Sequence, residues 1–177
     1  MVVETTALTL HILSASVALG AVAVTDFLHL RSMKNHRLEV KLLPVYPYLT
    51  QLIYLAVAGL LVTGITVLYF RPHLLSGAFF HLKMALFAIV MINGVILGKK
   101  IGPMLESTIK KNLATKKFLI QSSLLGSISV TTWIAIFVLA LTKNTGYTVP
   151  QFITAHIAFF LVVFFASYVM QSKSYPH

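Results

Sequence analysis

Apolar residues dominate five long stretches of this chain, roughly Ala7–Leu30, Pro47–Phe70, Gly77–Gly98, Phe118–Leu141 and Pro150–Met170. Each runs to about 20 residues or more, the length at which a helix rising about 1.5 Å per residue crosses roughly 30 Å of hydrocarbon. A buried helix of a soluble protein rarely stays this apolar for so long. The pattern predicts an all-α, polytopic membrane protein with five transmembrane helices. The connections are short, so sequential helices are expected to pack as an up-down bundle forming one domain over 1–177. Gly102-Pro103 opens the longest connection, Lys99–Lys117, as a break with room for an interfacial helical turn, while Arg71-Pro72 and Asn144-Thr145-Gly146 mark turns.

Composition agrees with the pattern. Of 177 residues, 58% are hydrophobic and 10% charged, with a mean hydropathy of +0.87; a soluble domain carries about a quarter charged residues. The first stretch reads as a retained helix, because it is long for a signal peptide, lacks a basic leading region and carries His11, Asp26 and His29. Cysteine is absent, which excludes disulfides, thiolate chemistry and Cys-ligated clusters.

The net charge of +10 is unevenly spread. Arg31, Lys34, Arg37 and Lys41 follow the first stretch. Lys99, Lys100, Lys110, Lys111, Lys116 and Lys117 separate the third from the fourth. The opposite connections hold Arg71 and Lys143, with Lys83 just inside the third stretch. Positive charge favours the cytoplasmic side, so the N-terminus is expected outside and the C-terminus, with Lys173, in the cytoplasm of a bacterial-type inner (plasma) membrane. Most of the basic excess then serves topology and lipid headgroups, and nucleic acid is not an expected partner.

Against this apolar frame, His11, His81, Lys83 and His156 stand out. Ionisable side chains within spanning segments are costly and commonly mark a cofactor, ion or proton site. The expected topology places all four in the outer third of the bilayer, on three different helices. Imidazole is a common ligand of haem iron, and two axial histidines on separate helices make a low-spin b-type centre. His11 is the first candidate ligand, since Ala15, Ala18 and Val22 continue its face with Ser14, Gly20 and Ala21 nearby. The second axial position falls to His81 or His156. Lys83, two residues beyond His81, points to another side of its helix, where it can meet a propionate, ligate iron when neutral, or snorkel to the headgroups. The plain alternative for both histidines near helix ends is residence in the interface. His73 beside Pro72, His36 in a basic loop and the terminal His177 read as solvent-exposed.

A second polar cluster lies at the opposite face. Asp26 and His29 are one turn apart near the cytoplasmic end of the first helix, where they can pair, and they are proton-path candidates. His29 follows His11 by 18 residues, five full turns, which puts the two on one helix face about 27 Å apart. No other helix supplies a histidine at that depth. Asn93 is expected to bond a neighbouring helix, and Tyr46, Tyr48 and Tyr54 read as an aromatic belt. Met84 and Met91 share a face better suited to packing than to soft-metal ligation. Gly59 and Gly64 with Ala56 and Thr63, and the run Ser122, Ser123, Gly126, Ser127 and Ser129, read as close-packing surfaces.

His11-Ile12-Leu13 with Gly20, followed by Leu74-Leu75-Ser76-Gly77-Ala78-Phe79-Phe80-His81-Leu82-Lys83, resembles the HemJ-type protoporphyrinogen oxidases and the related CopD-like membrane proteins. That family shows a similar Ser-Gly-x-x-His-x-Lys stretch, and its functional residues, an early histidine and the lysine, match His11 and Lys83. The likeness covers about Leu8 to Thr142. Two features depart from it: Val17-Ala18-Leu19-Gly20 stands where the oxidases carry a Trp-Phe-Ala-Gly-like segment, and the helix with His156 is additional to their four.

Together these readings predict a membrane-embedded redox protein holding one haem b per chain near the extracytoplasmic face. It would oxidise a porphyrinogen or exchange electrons with a quinone, with Lys83 as the catalytic candidate. The expected partners are the lipid bilayer, a quinone or porphyrin substrate and, as an option, further copies of the chain. The alternatives are a copper-type ion transporter using the same histidines and a non-catalytic membrane subunit.

Overall fold

A computed structural model describes residues 2–32, 40–111, 115–141 and 146–174. Helix α1 spans Val2–Ser32 and α2 Val45–Phe70. A 3-10 turn, Pro72–Ser76, leads into α3 at Ala78–Ile96. A single π-helical turn, Leu97–Ile101, joins α3 to α4 at Gly102–Lys111. Helices α5, Lys116–Leu141, and α6, Val149–Ser174, complete the chain. No strand occurs among the described residues. Among the described residues five helices are long and apolar enough to cross a membrane, and they give the chain the build of a multi-pass membrane protein. Lys34, His36, Arg37, Lys143, Asn144, Thr145 and His177 lie outside the described residues.

The helices extend a few residues past the apolar stretches at most ends, because polar flanks such as Glu4 and Lys116 remain helical where the backbone leaves hydrocarbon. The third differs more. It continues through the expected break at Gly102-Pro103, and the five-residue widening falls just before it. Proline has no N–H and its ring crowds the carbonyl one turn back; a π-turn relieves both while the helix continues. The Gly102 N–H bonds the Leu97 carbonyl across this turn. At the other end, Arg71 leaves helical geometry ahead of Pro72, as residues before proline favour. Gly77 is extended and its carbonyl receives the N–H groups of Phe80 and His81.

Helix α1 packs along α2 in opposite direction: Glu4 meets Arg71, His11 meets Thr63 and Ser14 meets Gly59. Helix α5 is the hub, packing on α3, α6, α1 and the π-turn. The central core joins Ala18 and Val22 of α1, Ala56, Val57 and Leu60 of α2, Val90 of α3 and Trp133 of α5. Two lesser clusters flank it, one around Ile101, Phe118 and Leu119, the other around Leu86, Ala135 and Leu139. The buried face of α5 is largely hydroxylic, with Ser122, Ser123, Ser127, Thr131 and Thr132. Small polar residues let helices approach closely where lipid removes the hydrophobic drive for helix pairing.

Helices α2 and α3 follow one another in sequence yet make no extensive contact. Helix α6 attaches chiefly to α5. The outward sides are uniformly apolar, with Leu55, Val62, Ile65 and Val162 each about two-thirds exposed or more. Such a surface suits lipid and not water.

Candidate functional site

His11 stands over the small face of α2. A Cβ placed on Gly64 would lie 3.3 Å from its Cε1, so glycine there makes room for the ring. Its Nδ1 lies 3.1 Å from Thr63 Oγ1. The Thr63 hydroxyl itself bonds back to the Gly59 carbonyl at 2.6 Å. A hydroxyl has one hydrogen. With that hydrogen donated to Gly59, Oγ1 is left to accept from His11, which favours the ring proton on Nδ1 and the lone pair on Nε2; the Leu60 carbonyl is a second acceptor for the ring. This is the arrangement of a metal-ligating histidine, whose second nitrogen is oriented by a hydrogen bond. Lys83 of α3, half-buried, stands near enough for its charge to act on the His11 ring.

The other candidates are placed differently. His81 is exposed in the first turn of α3, with Nδ1 3.0 Å from the Gly77 carbonyl and its ring edge against Phe80. His156 is half-buried on α6, a helix with no extensive contact to α1. Helices α3 and α6 meet only at a few residues, near Phe79, Leu82 and Phe152, and neither packs extensively on α1; among the described residues no three His, Asp or Glu side chains gather as a metal-holding group. Asn93 is buried and donates from Nδ2 to the Leu125 carbonyl at 2.9 Å, joining α3 to α5 as its position suggested.

Asp26 and His29 border a cavity of about 260 Å³. Its walls come from α1, α2, α3, the π-turn, α4 and α5, and include Tyr46, Tyr54, Met91, Ser122 and Trp133. Gly94 and Gly126 face it with nothing within 4 Å of where a Cβ would stand. The Asp26 Oδ2 is buried without a hydrogen-bond partner among the described residues. An unpartnered carboxylate oxygen in an apolar wall is costly, and sites of this kind are commonly functional.

Sequence reasoning singled out Asp26 and His29 but missed the cavity. It read Tyr46 and Tyr54 as belt residues and Gly126 and Ser122 as packing surface. The legible signal was the glycine pair Gly94 and Gly126 at the depth of Asp26, together with Gly102-Pro103, which predicts an irregular backbone where the π-turn widens the wall.

No protein family matches the chain, and neither a curated protein nor a solved structure does.

Proposed function

We propose that the chain is a membrane-embedded haem b redox protein, in which His11 through Nε2, together with His81 or His156, would hold the haem. The carrying observation is the 3.1 Å His11–Thr63 contact beside the 2.6 Å Thr63–Gly59 bond, which together favour a lone pair on Nε2. Lys83, close enough to influence His11, suits a haem propionate or proton transfer at the site; the likeness to the HemJ-type oxidases points to the same two residues. In this reading the helices form an up-down bundle with the N-terminus outside and the C-terminus in the cytoplasm. The haem then lies toward the extracytoplasmic face of a bacterial-type inner membrane, and a quinone or porphyrinogen is the electron partner. Bound haem would supply one-electron chemistry; the chain supplies the ligand, its orientation and an apolar surround.

The test is a reduced-minus-oxidised visible spectrum of the purified protein with a haemochrome assay for stoichiometry. Sharp α and β bands at about one haem per chain support the reading, and His11→Ala should then lose most haem while keeping its helicity. Full haem content in that variant overturns the ligand assignment. A colourless protein that binds copper, after expression with ample haem, favours the transporter alternative.

A further inference from the structure

Asp26 lies toward the other end of α1 from His11, about 22 Å away along the helix axis. At about 260 Å³ it is too small for a porphyrin. A cavity of roughly 150 Å³ already accepts benzene, so this one has room for a single substituted ring. Most of its wall is apolar, from Val22, Ile53, Val57 and Val90 to Leu105 and Phe118. Among the described residues, the Asp26 Oδ2 is an acceptor without a donor.

An opening follows from the packing. Helices α2 and α3 both line the cavity yet do not pack extensively on each other. At this seam the Tyr54 hydroxyl reaches to 3.6 Å from where a Gly98 Cβ would stand. Tyr54 is about half exposed, so the cavity comes to the bundle surface there. A ligand with its ring inside and an apolar tail leaving between α2 and α3 would meet lipid along the tail.

We propose that this cavity binds the ring of a hydroquinone-class amphiphile, with one ring hydroxyl donating to Asp26 Oδ2 and the tail passing beside Tyr54 into the bilayer. Binding is independent of the haem reading, because no ligand of that site takes part. Toward ionised Asp26 a hydroquinone offers hydroxyl donors whereas a quinone offers only acceptors, so the carboxylate favours the reduced ring when the titration is run at a pH that keeps Asp26 ionised. One charge-assisted hydrogen bond corresponds to roughly tenfold in affinity or more.

Trp133 is the sole tryptophan of the chain and lines the cavity, so its fluorescence reports occupancy. The full-length protein in detergent is titrated with decyl-hydroquinone and, separately, decyl-benzoquinone. Expected are saturable quenching at one site, about tenfold tighter for the reduced probe, and loss of saturation in Gly126→Leu, whose side chain would occupy the ring position. Asp26→Asn should remove the preference for the reduced form. Gly94→Leu serves as a second filling variant, should Gly126→Leu lack wild-type helicity. Unsaturable quenching that is equal in wild type and filled variants overturns the site. Saturable binding that Gly126→Leu abolishes but Asp26→Asn leaves unchanged, with no preference between the two probes, overturns the assignment of Asp26 and marks an acyl-chain cavity.

Discussion

Thr63 accepts from His11: the 3.1 Å contact between Oγ1 and Nδ1 has only one direction available once the threonine hydrogen is committed to the Gly59 carbonyl. A backbone carbonyl of α2 thereby biases, through one hydroxyl, which nitrogen of a histidine on α1 carries the proton. The function read from His11 depends on that chain of two hydrogen bonds.

Thr63→Val keeps the shape and removes the acceptor. On the proposed haem reading, affinity in that variant should fall by about tenfold to a hundredfold, the usual effect of losing a group that orients a ligand. Thr63→Ser should restore it. Haem titration of the three proteins checks this, and equal affinity in all of them would separate Thr63 from the ligand's orientation.

Gly59 governs how closely α1 and α2 approach. A Cβ there would stand 2.7 Å from Ser14 Oγ. Gly59→Ala forces the Ser14 hydroxyl to rotate away, and its cost should stay below about 1 kcal/mol because alanine also gains helix propensity over glycine. In a Ser14→Ala background the same change should cost less, with a coupling of at least about 0.5 kcal/mol. A double-mutant cycle in one detergent reads this directly.

Helix α6 is tied to α5 by the Ser122 hydroxyl donating to Gln171 Oε1 at 2.6 Å, both residues buried. Gln171 also donates to Ser167 Oγ at 3.1 Å on its own helix. Gln171→Leu should destabilise by about 0.6 to 1.7 kcal/mol, the range for interhelical hydrogen bonds in membranes. Adding Ser122→Ala should change little more, since the Ser122 hydroxyl left without Gln171 still reaches the Leu119 carbonyl at 3.3 Å. Equilibrium unfolding in mixed micelles measures both.

Glu4 and Arg71 form an ion pair of 2.6 Å linking the ends of α1 and α2, with the arginine side chain 44% exposed. Glu4→Gln should cost less than about 1 kcal/mol, because an exposed pair is screened and loses side-chain freedom. The difference from wild type should shrink further in high salt.

The five helices were legible because burial in hydrocarbon is a property of composition over about 20 residues, and no partner is needed to satisfy a helical backbone. Asn93 was legible for a similar reason: a lone amide in mid-membrane must find a neighbouring helix. The α4 extension was hidden, because Gly102-Pro103 reads as a stop unless the ladder widens beforehand.

The sequence by itself determined five helices long and apolar enough to cross a membrane and the short roster of polar residues that hydrocarbon would not tolerate without a reason. Only the tertiary structure decided which of those residues share a site. Depth along a helix follows from residue number, but mutual facing depends on which helices touch, and α5 rather than sequence order is the hub of the packing. His11 consequently meets Thr63 and stands within range of Lys83, while His156 belongs to a helix attached elsewhere. The seam between α2 and α3 has the same origin, since two adjacent segments left apart by the packing of others enclose the space beside Asp26.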